Sequence, residues 1–150
     1  MPEEPVRGEP VPEEPVRGEP VSSAARDGDL LRVALVGRLT AADVGLLAAA
    51  LEAAGSRVGV VLDRRQLGAP TAEGRAALQR WAAEELPGRV PAVVAWADVL
   101  DERRYRSLTR NGPDDGRGPG YPQRTYADHD AAVAWVRAAL DGGQVPQKVT

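Results

Sequence analysis

Three apolar runs, each too short to be a buried helix and each set apart by helix-start or turn signals, leave few folds open to this chain. They are Leu30–Leu39 (LLRVALVGRL), Arg57–Leu62 (RVGVVL) and Val90–Ala97 (VPAVVAWA). Their Val and Leu richness reads as strand, in the third despite Pro91 near its start. After the first run Thr40 stands as N-cap with Asp43 three positions on, a capping-box pair ahead of VGLLAAALEAAG, and Gly55 ends that helix. After the second, Gly68–Thr71 is a turn, and Thr71 caps a helix over Ala72–Leu86 whose Leu78, Trp81, Ala82 and Glu85 spacing sets one stripe toward a sheet. Pro87-Gly88 stops it. After the third, Asp98–Thr109 reads as a polar helix ending at Asn111-Gly112-Pro113, and Gly112–Pro122 as a mobile loop. Gln123–Tyr126 supplies a short strand, and a closing helix runs from Asp128 or His129 to Leu140.

Strands joined through helices need right-handed crossovers, so they lie parallel. Val21–Ala25, the Asp27-Gly28-Asp29 turn and Leu30–Leu39 form a hairpin that adds an antiparallel edge. The expected class is α/β: a single-layer mixed, mostly parallel sheet with an N-terminal hairpin and about four helices. The expected order is β-β-α-β-α-β-α-β-α.

The rest of the chain divides by composition. Pro2–Val11 and Pro12–Val21 are the same ten residues, PEEPVRGEPV, with too little apolar surface to bury. Residues 1–21 are therefore expected as an extended, disordered tail, residues 22–141 as the domain, and 142–150 as a second flexible tail. The first tail holds six Glu against Arg7 and Arg17, so the net charge of −3 leaves the remainder near neutrality. A near-neutral domain lacks the basic field that nucleic acid demands, and that partner class is excluded. No apolar run approaches the roughly 20 residues of a membrane helix. The start, Pro- and Glu-rich rather than basic then apolar, is unlike a signal peptide, so a cytoplasmic protein is expected. With no cysteine and only His129, thiol chemistry, cysteine or histidine metal sites and a classical triad fall away, and no cofactor is expected.

The core resembles the STAS domain family, the fold of bacterial anti-sigma-factor antagonists, and more closely its divergent SpoIIAA-like branch related to lipid-binding Sec14 domains. DGDLLRVALVGRLTAADV, VVLDRRQLGAPTAEGRAAL, RVPAVVAW and RTYADHDAAVAWVRAAL carry the resemblance, which covers residues 27–140. It implies a STAS-like fold and a regulatory role exerted through protein contacts. The family's switch is a serine in a D-S-S-G turn at a helix start; the matching stretch here is Thr71-Ala72-Glu73-Gly74, with the glycine kept and neither serine present. Thr71 is thus a candidate phosphosite as well as an ordinary N-cap, and Glu73 either a permanent phosphate mimic or an ordinary first-turn acid.

Four further groups are candidates. Arg103, Arg104, Tyr105 and Arg106 form, with Glu73, a possible partner-binding surface, or a solvated helix face. Asp63 and Asp98 follow adjacent strands at the end where open α/β sheets bind ligands, and as a pair they would suit acid-base chemistry or a divalent ion. Trp81, Trp96 and Trp135, the large rings of an Ala/Val/Leu core, either line a hydrophobic pocket or simply pack. His129 between Asp128 and Asp130 begins a helix. The leading expectation is a non-enzymatic STAS-like regulatory domain with an unidentified protein partner. The alternatives are a small hydrophobic ligand held between helix and sheet, and a small metal-dependent enzyme using the two aspartates.

Overall fold

The computed structural model describes residues 21–110 and 120–142. The repeat tail, most of the 112–122 loop and the tail beyond 142 lie outside the described residues. Five strands, β1 (Ser23–Asp27), β2 (Leu30–Leu39), β3 (Val58–Pro70), β4 (Val93–Val99) and β5 (Gln123–Tyr126), lie side by side in chain order. β1 and β2 are antiparallel across a tight turn, and every later pair is parallel. The crossovers carry α1 (Ala41–Ala54), α2 (Ala72–Glu84), α3 (Leu86–Arg89) and α4 (Glu102–Leu108), and α5 (His129–Leu140) closes the domain.

Alternation along the strands builds two apolar faces. Leu31, Val33, Leu35, Val60, Leu62 and Trp96 pack with Val44, Leu47 and Leu51 of α1 and Trp81 of α2. On the other face Leu30, Val61, Ala95, Ala97 and Val99 meet Ala132, Trp135, Val136 and Ala139 of α5. The capping box forms as expected: Asp43 N–H donates to Thr40 Oγ1 at 3.2 Å, and Thr40 N–H to Asp43 Oδ2 at 2.9 Å. The far end of α1 is closed by a side chain from α3, where Arg89 Nη2 donates to the carbonyls of Leu51 (3.1 Å) and Gly55 (2.5 Å). α2 starts hard against the end of β2. A Cβ on Gly74 would overlap the Leu39 carbonyl, so only glycine lets the helix approach this closely.

Several element boundaries depart from the sequence reading. β3 does not stop at Leu62 but runs to Pro70, because β2 is ten residues long and its second half needs a partner. Gln66, Leu67 and Pro70 pair with Val36, Gly37 and Leu39 across two register shifts, so the expected turn at Gly68–Thr71 is mostly strand. α2 ends at Glu84, and Pro87 lies in the first turn of the separate short α3 instead of simply terminating the chain of helix. Pro91 lies in a 3₁₀ turn, Val90–Ala92, ahead of β4. β4 in turn takes in Asp98 and Val99, which the sequence assigned to a helix. That helix begins only at Glu102, with the Asp101 carboxylate accepting from Arg104 N–H at 2.8 Å.

Candidate functional site

Where α1, α2 and α3 pass over the sheet they do not close on it. A cavity of about 500 Å³ remains, walled by Leu35 and Leu39 of β2, Leu47 of α1, Leu62 and Leu67 of β3, and Leu78 and Trp81 of α2. Its apolar character follows from strand alternation on one side and the α2 stripe on the other. At one end the lining turns polar, with Arg64, Asp98, Arg104, Tyr121 and Gln123.

Among the described residues Asp98 is the buried charge of this end, 5% exposed. It sits one residue before the carboxyl end of β4 and two after Trp96, so both side chains leave the same face of the strand. Trp96 Nε1 donates to Oδ1 at 3.2 Å and Gln123 Nε2 to Oδ2 at 2.8 Å. Arg64 Nη1 stands 3.6 Å from Oδ1, an ion pair without a hydrogen bond. A buried carboxylate survives when its oxygens are hydrogen-bonded and a countercharge is near. Tyr121 stacks on Trp96 with ring centroids 5.7 Å apart and planes 14° from parallel. Burial, with the Asp98 charge adding to it, pushes the Tyr121 hydroxyl up to about 12. Arg104 reaches over the rim from α4: Nε donates to Asp101 Oδ2 at 2.8 Å, and Nη2 to the Arg64 carbonyl at 2.8 Å and more weakly to that of Arg65 at 3.4 Å.

The two aspartates do not meet. β3 and β4 pair Leu62 with Asp98 and Asp63 with Val99, so Asp98 shares the face of Leu62 whereas Asp63 shares the α5 face with Val99. The paired-carboxylate reading is therefore corrected: one residue of register separates the side chains by the thickness of the sheet. Nor is Asp63 a strand end, since β3 continues past it. It accepts from Arg65 N–H (3.0 Å), Nε (2.9 Å) and Nη2 (2.7 Å). Burial alone would raise its pKa, but the hydrogen bonds from Arg65 and the Arg65 and His129 charges outweigh this and hold it below the ordinary aspartate value. Among the described residues no three His, Cys, Asp or Glu converge as a metal site would require.

The tryptophans also part company. Trp81 and Trp96 line the cavity, while Trp135 is buried on the opposite face, tilted against Tyr126 at 6.2 Å and beneath Arg124 at 5.9 Å. The expected three-ring pocket is thus a two-tryptophan pocket, with Tyr121 the third ring. Thr71 Oγ1 accepts from Gly74 N–H at 2.9 Å and donates to the Leu39 carbonyl at 3.3 Å, so its hydroxyl is engaged on both sides as the cap of α2. Glu73 is exposed on the first turn of that helix. Of the α4 group, Arg103 and Arg106 are exposed, Tyr105 is half-buried, and Arg104 turns inward to the cavity. Arg64, Gln123 and Tyr121 were not foreseen. Alternation from Leu62 would have placed Arg64 on the cavity face had β3 been recognised as continuing, and nothing local in the sequence marks Tyr121.

No family model matches the sequence, and no curated protein matches it. Among solved structures, the fold matches the 2.25 Å crystal structure of an uncharacterized DUF3478-family protein from Shewanella loihica PV-4, described as having a SpoIIAA-like fold. The superposition has a TM-score of 0.52 at 16% identity and covers 77% of this chain and 92% of the other. The fold is SpoIIAA-like. The STAS-like α/β architecture that the resemblance implied is the architecture observed, five parallel-dominated strands with helices on both faces. In this SpoIIAA-like domain Thr71 caps α2, Gly74 lies in its first turn, and the cavity lies under that helix. No helix among the described residues is long and apolar enough to cross a membrane.

Proposed function

We propose that this SpoIIAA-like domain is a binding module whose helix–sheet cavity holds a small, largely apolar molecule. The observation that carries this reading is the cavity itself. At about 500 Å³, apolar over most of its wall and polar at one end around a buried carboxylate, it has the size and composition of small-molecule sites, roughly 300–1,000 Å³ with a few placed polar groups. A domain this small gains stability by closing such a space, so an open one is retained at a cost. Ligand occupancy would couple naturally to a regulatory output, because α2 forms both a wall of the cavity and the surface that carries Glu73.

Native mass spectrometry of the full chain purified from its own host tests the reading, with tryptophan fluorescence beside it. Bound mass lost on denaturation is expected, and ligand addition should change emission from Trp81 and Trp96 but not from Trp135. A Trp135→Phe variant should keep the response and a Trp81→Phe, Trp96→Phe pair should lose it. The opposite pattern, or an empty protein insensitive to every apolar compound tried, defeats the proposal.

A second reading, action through a protein partner, is supported by the surface of α4. Arg103 and Arg106 are exposed on that helix, as is Leu108 at its end, which is 57% exposed. A partner that binds the wild-type chain and is lost with Leu108→Ser, without a fall in melting temperature, would support it. Retention of that partner by the variant would remove the surface from consideration.

A further inference from the structure

We infer that the cavity selects anionic amphiphiles, molecules with an apolar body and one carboxylate, and that Arg64 receives the carboxylate. The inference rests on the binding reading above and adds the sign of the ligand's charge. Among the described residues, three groups with formal charge line the cavity: Arg64, Arg104 and Asp98. Asp98 is already provided for. Each of its oxygens accepts a hydrogen bond, one from Trp96 Nε1 and one from Gln123 Nε2. Arg64 is not. Its closest approach to Asp98 is 3.6 Å, beyond hydrogen-bond distance, and among the described residues its side chain donates to nothing.

A guanidinium with five N–H donors, half-exposed at the mouth of an apolar space, is matched in geometry to a carboxylate, which it can bind with two parallel hydrogen bonds. Arg104 adds a second cation to the lining. Its Nε and Nη2 are taken by Asp101 and by two main-chain carbonyls, which fixes it at the rim and, among the described residues, leaves Nη1 without a partner. Tyr121 keeps its proton at neutral pH and so remains a donor. Unused capacity at the polar end is therefore on the donor side. A cationic ligand would have to displace Arg64 from Asp98 and then lie beside two guanidiniums. An anion meets the guanidiniums directly, and the low dielectric of the apolar wall strengthens that attraction.

A charge series with a constant tail tests the inference on the full chain. Decanoate, decan-1-ol and decyltrimethylammonium are titrated at neutral pH and low salt, below their aggregation concentrations, with tryptophan emission or calorimetry as the readout. Decanoate is expected to bind about tenfold or more tighter than decan-1-ol, the scale of a charge-assisted hydrogen bond. Arg64→Gln should abolish that margin, bringing the acid down to the affinity the same variant has for the alcohol, and Arg64→Lys should retain part of it. A far-ultraviolet circular dichroism spectrum and a cooperative thermal transition show that the Arg64→Gln chain folds. Equal affinities for the acid and the alcohol, tighter binding of the cation, or an acid preference that survives Arg64→Gln would overturn the inference while leaving the pocket intact. Failure of all three probes to bind the wild type would overturn the binding reading and the inference with it.

Discussion

Replacing Gly74 by alanine sets two physical effects against each other in one methyl group. In a helix, alanine is favoured over glycine by about 1 kcal/mol, so propensity alone predicts a more stable protein. At Gly74 the added Cβ would overlap the Leu39 carbonyl oxygen and crowd Thr40 Cα, both main-chain atoms that no rotamer change can move aside. Overpacking of this kind typically costs about 1–3 kcal/mol. Overlap with main-chain atoms belongs to the upper part of that range, about 2–3 kcal/mol, so the steric term should win with a net loss of about 1–2 kcal/mol. Gly45, exposed on α1 with nothing near its Cβ position, supplies the control. There only propensity operates, and Gly45→Ala should gain about 0.5–1 kcal/mol. For a chain of this length those changes correspond to a melting-temperature drop of about 2–8 °C for Gly74→Ala and a rise of about 1–4 °C for Gly45→Ala. Urea and thermal unfolding of the full-length variants, followed by far-ultraviolet circular dichroism, would measure both. The Gly74 variant should also bind apolar ligands more weakly, since the shift moves the α2 wall away from β2. A Gly74→Ala protein as stable as the wild type or more so would refute the close approach of α2 to Leu39, and with it the cavity wall that depends on it.

Three further outcomes follow from the same structure. Thr71→Ala removes the oxygen that accepts from Gly74 N–H and should cost about 1 kcal/mol in chemical unfolding, whereas Thr71→Ser should keep most of that stability. Arg89→Ala strips the donor from the Leu51 and Gly55 carbonyls and should cost about 1–3 kcal/mol, with amide exchange accelerating first at the end of α1. Asp43 and Asp63 both titrate below the ordinary value of 3.8 in the folded chain, burial being outweighed by hydrogen bonds from Thr40 and Ser22 in the first case and Arg65 in the second. The unfolded chain then takes up protons first, so their contribution is present above about pH 4 and is lost as pH falls through the lower folded values. Urea midpoints measured from pH 6 to pH 2 should fall in that window, and fall less in Asp43→Asn; a midpoint flat with pH would contradict the assignment.

Much of the fold was legible because it rests on local signals. The Asp27-Gly28-Asp29 turn, the Thr40 and Asp43 box and the Thr71 cap each report on residues a few positions apart and lie where they were expected, and each apolar run supplies a strand though not with the expected bounds. The errors fall where a distant strand decided the outcome. Arg64 to Pro70 carries polar and turn-forming residues, yet it is strand because the end of β2 offers it hydrogen bonds. Asp98 begins a polar segment by composition, yet it is strand because Leu62 on one side and Thr125 on the other hold it in register. Both errors bear on the candidate site, since they displaced Asp98 from its true face and hid Arg64.

Sequence alone determined the class of this protein. The length and spacing of its apolar runs permit little besides a mostly parallel α/β sheet with a hairpin edge, and a chain without cysteine carries no thiol of its own. Tertiary structure alone decided what faces what. Side-chain direction in a sheet has a period of two, so a one-residue shift in pairing carries a residue from one face to the other. That register, set by partners dozens of residues away, separates Asp63 from Asp98, sends Trp135 to the α5 face, and gathers Trp81, Trp96, Tyr121, Asp98 and Arg64 around one cavity.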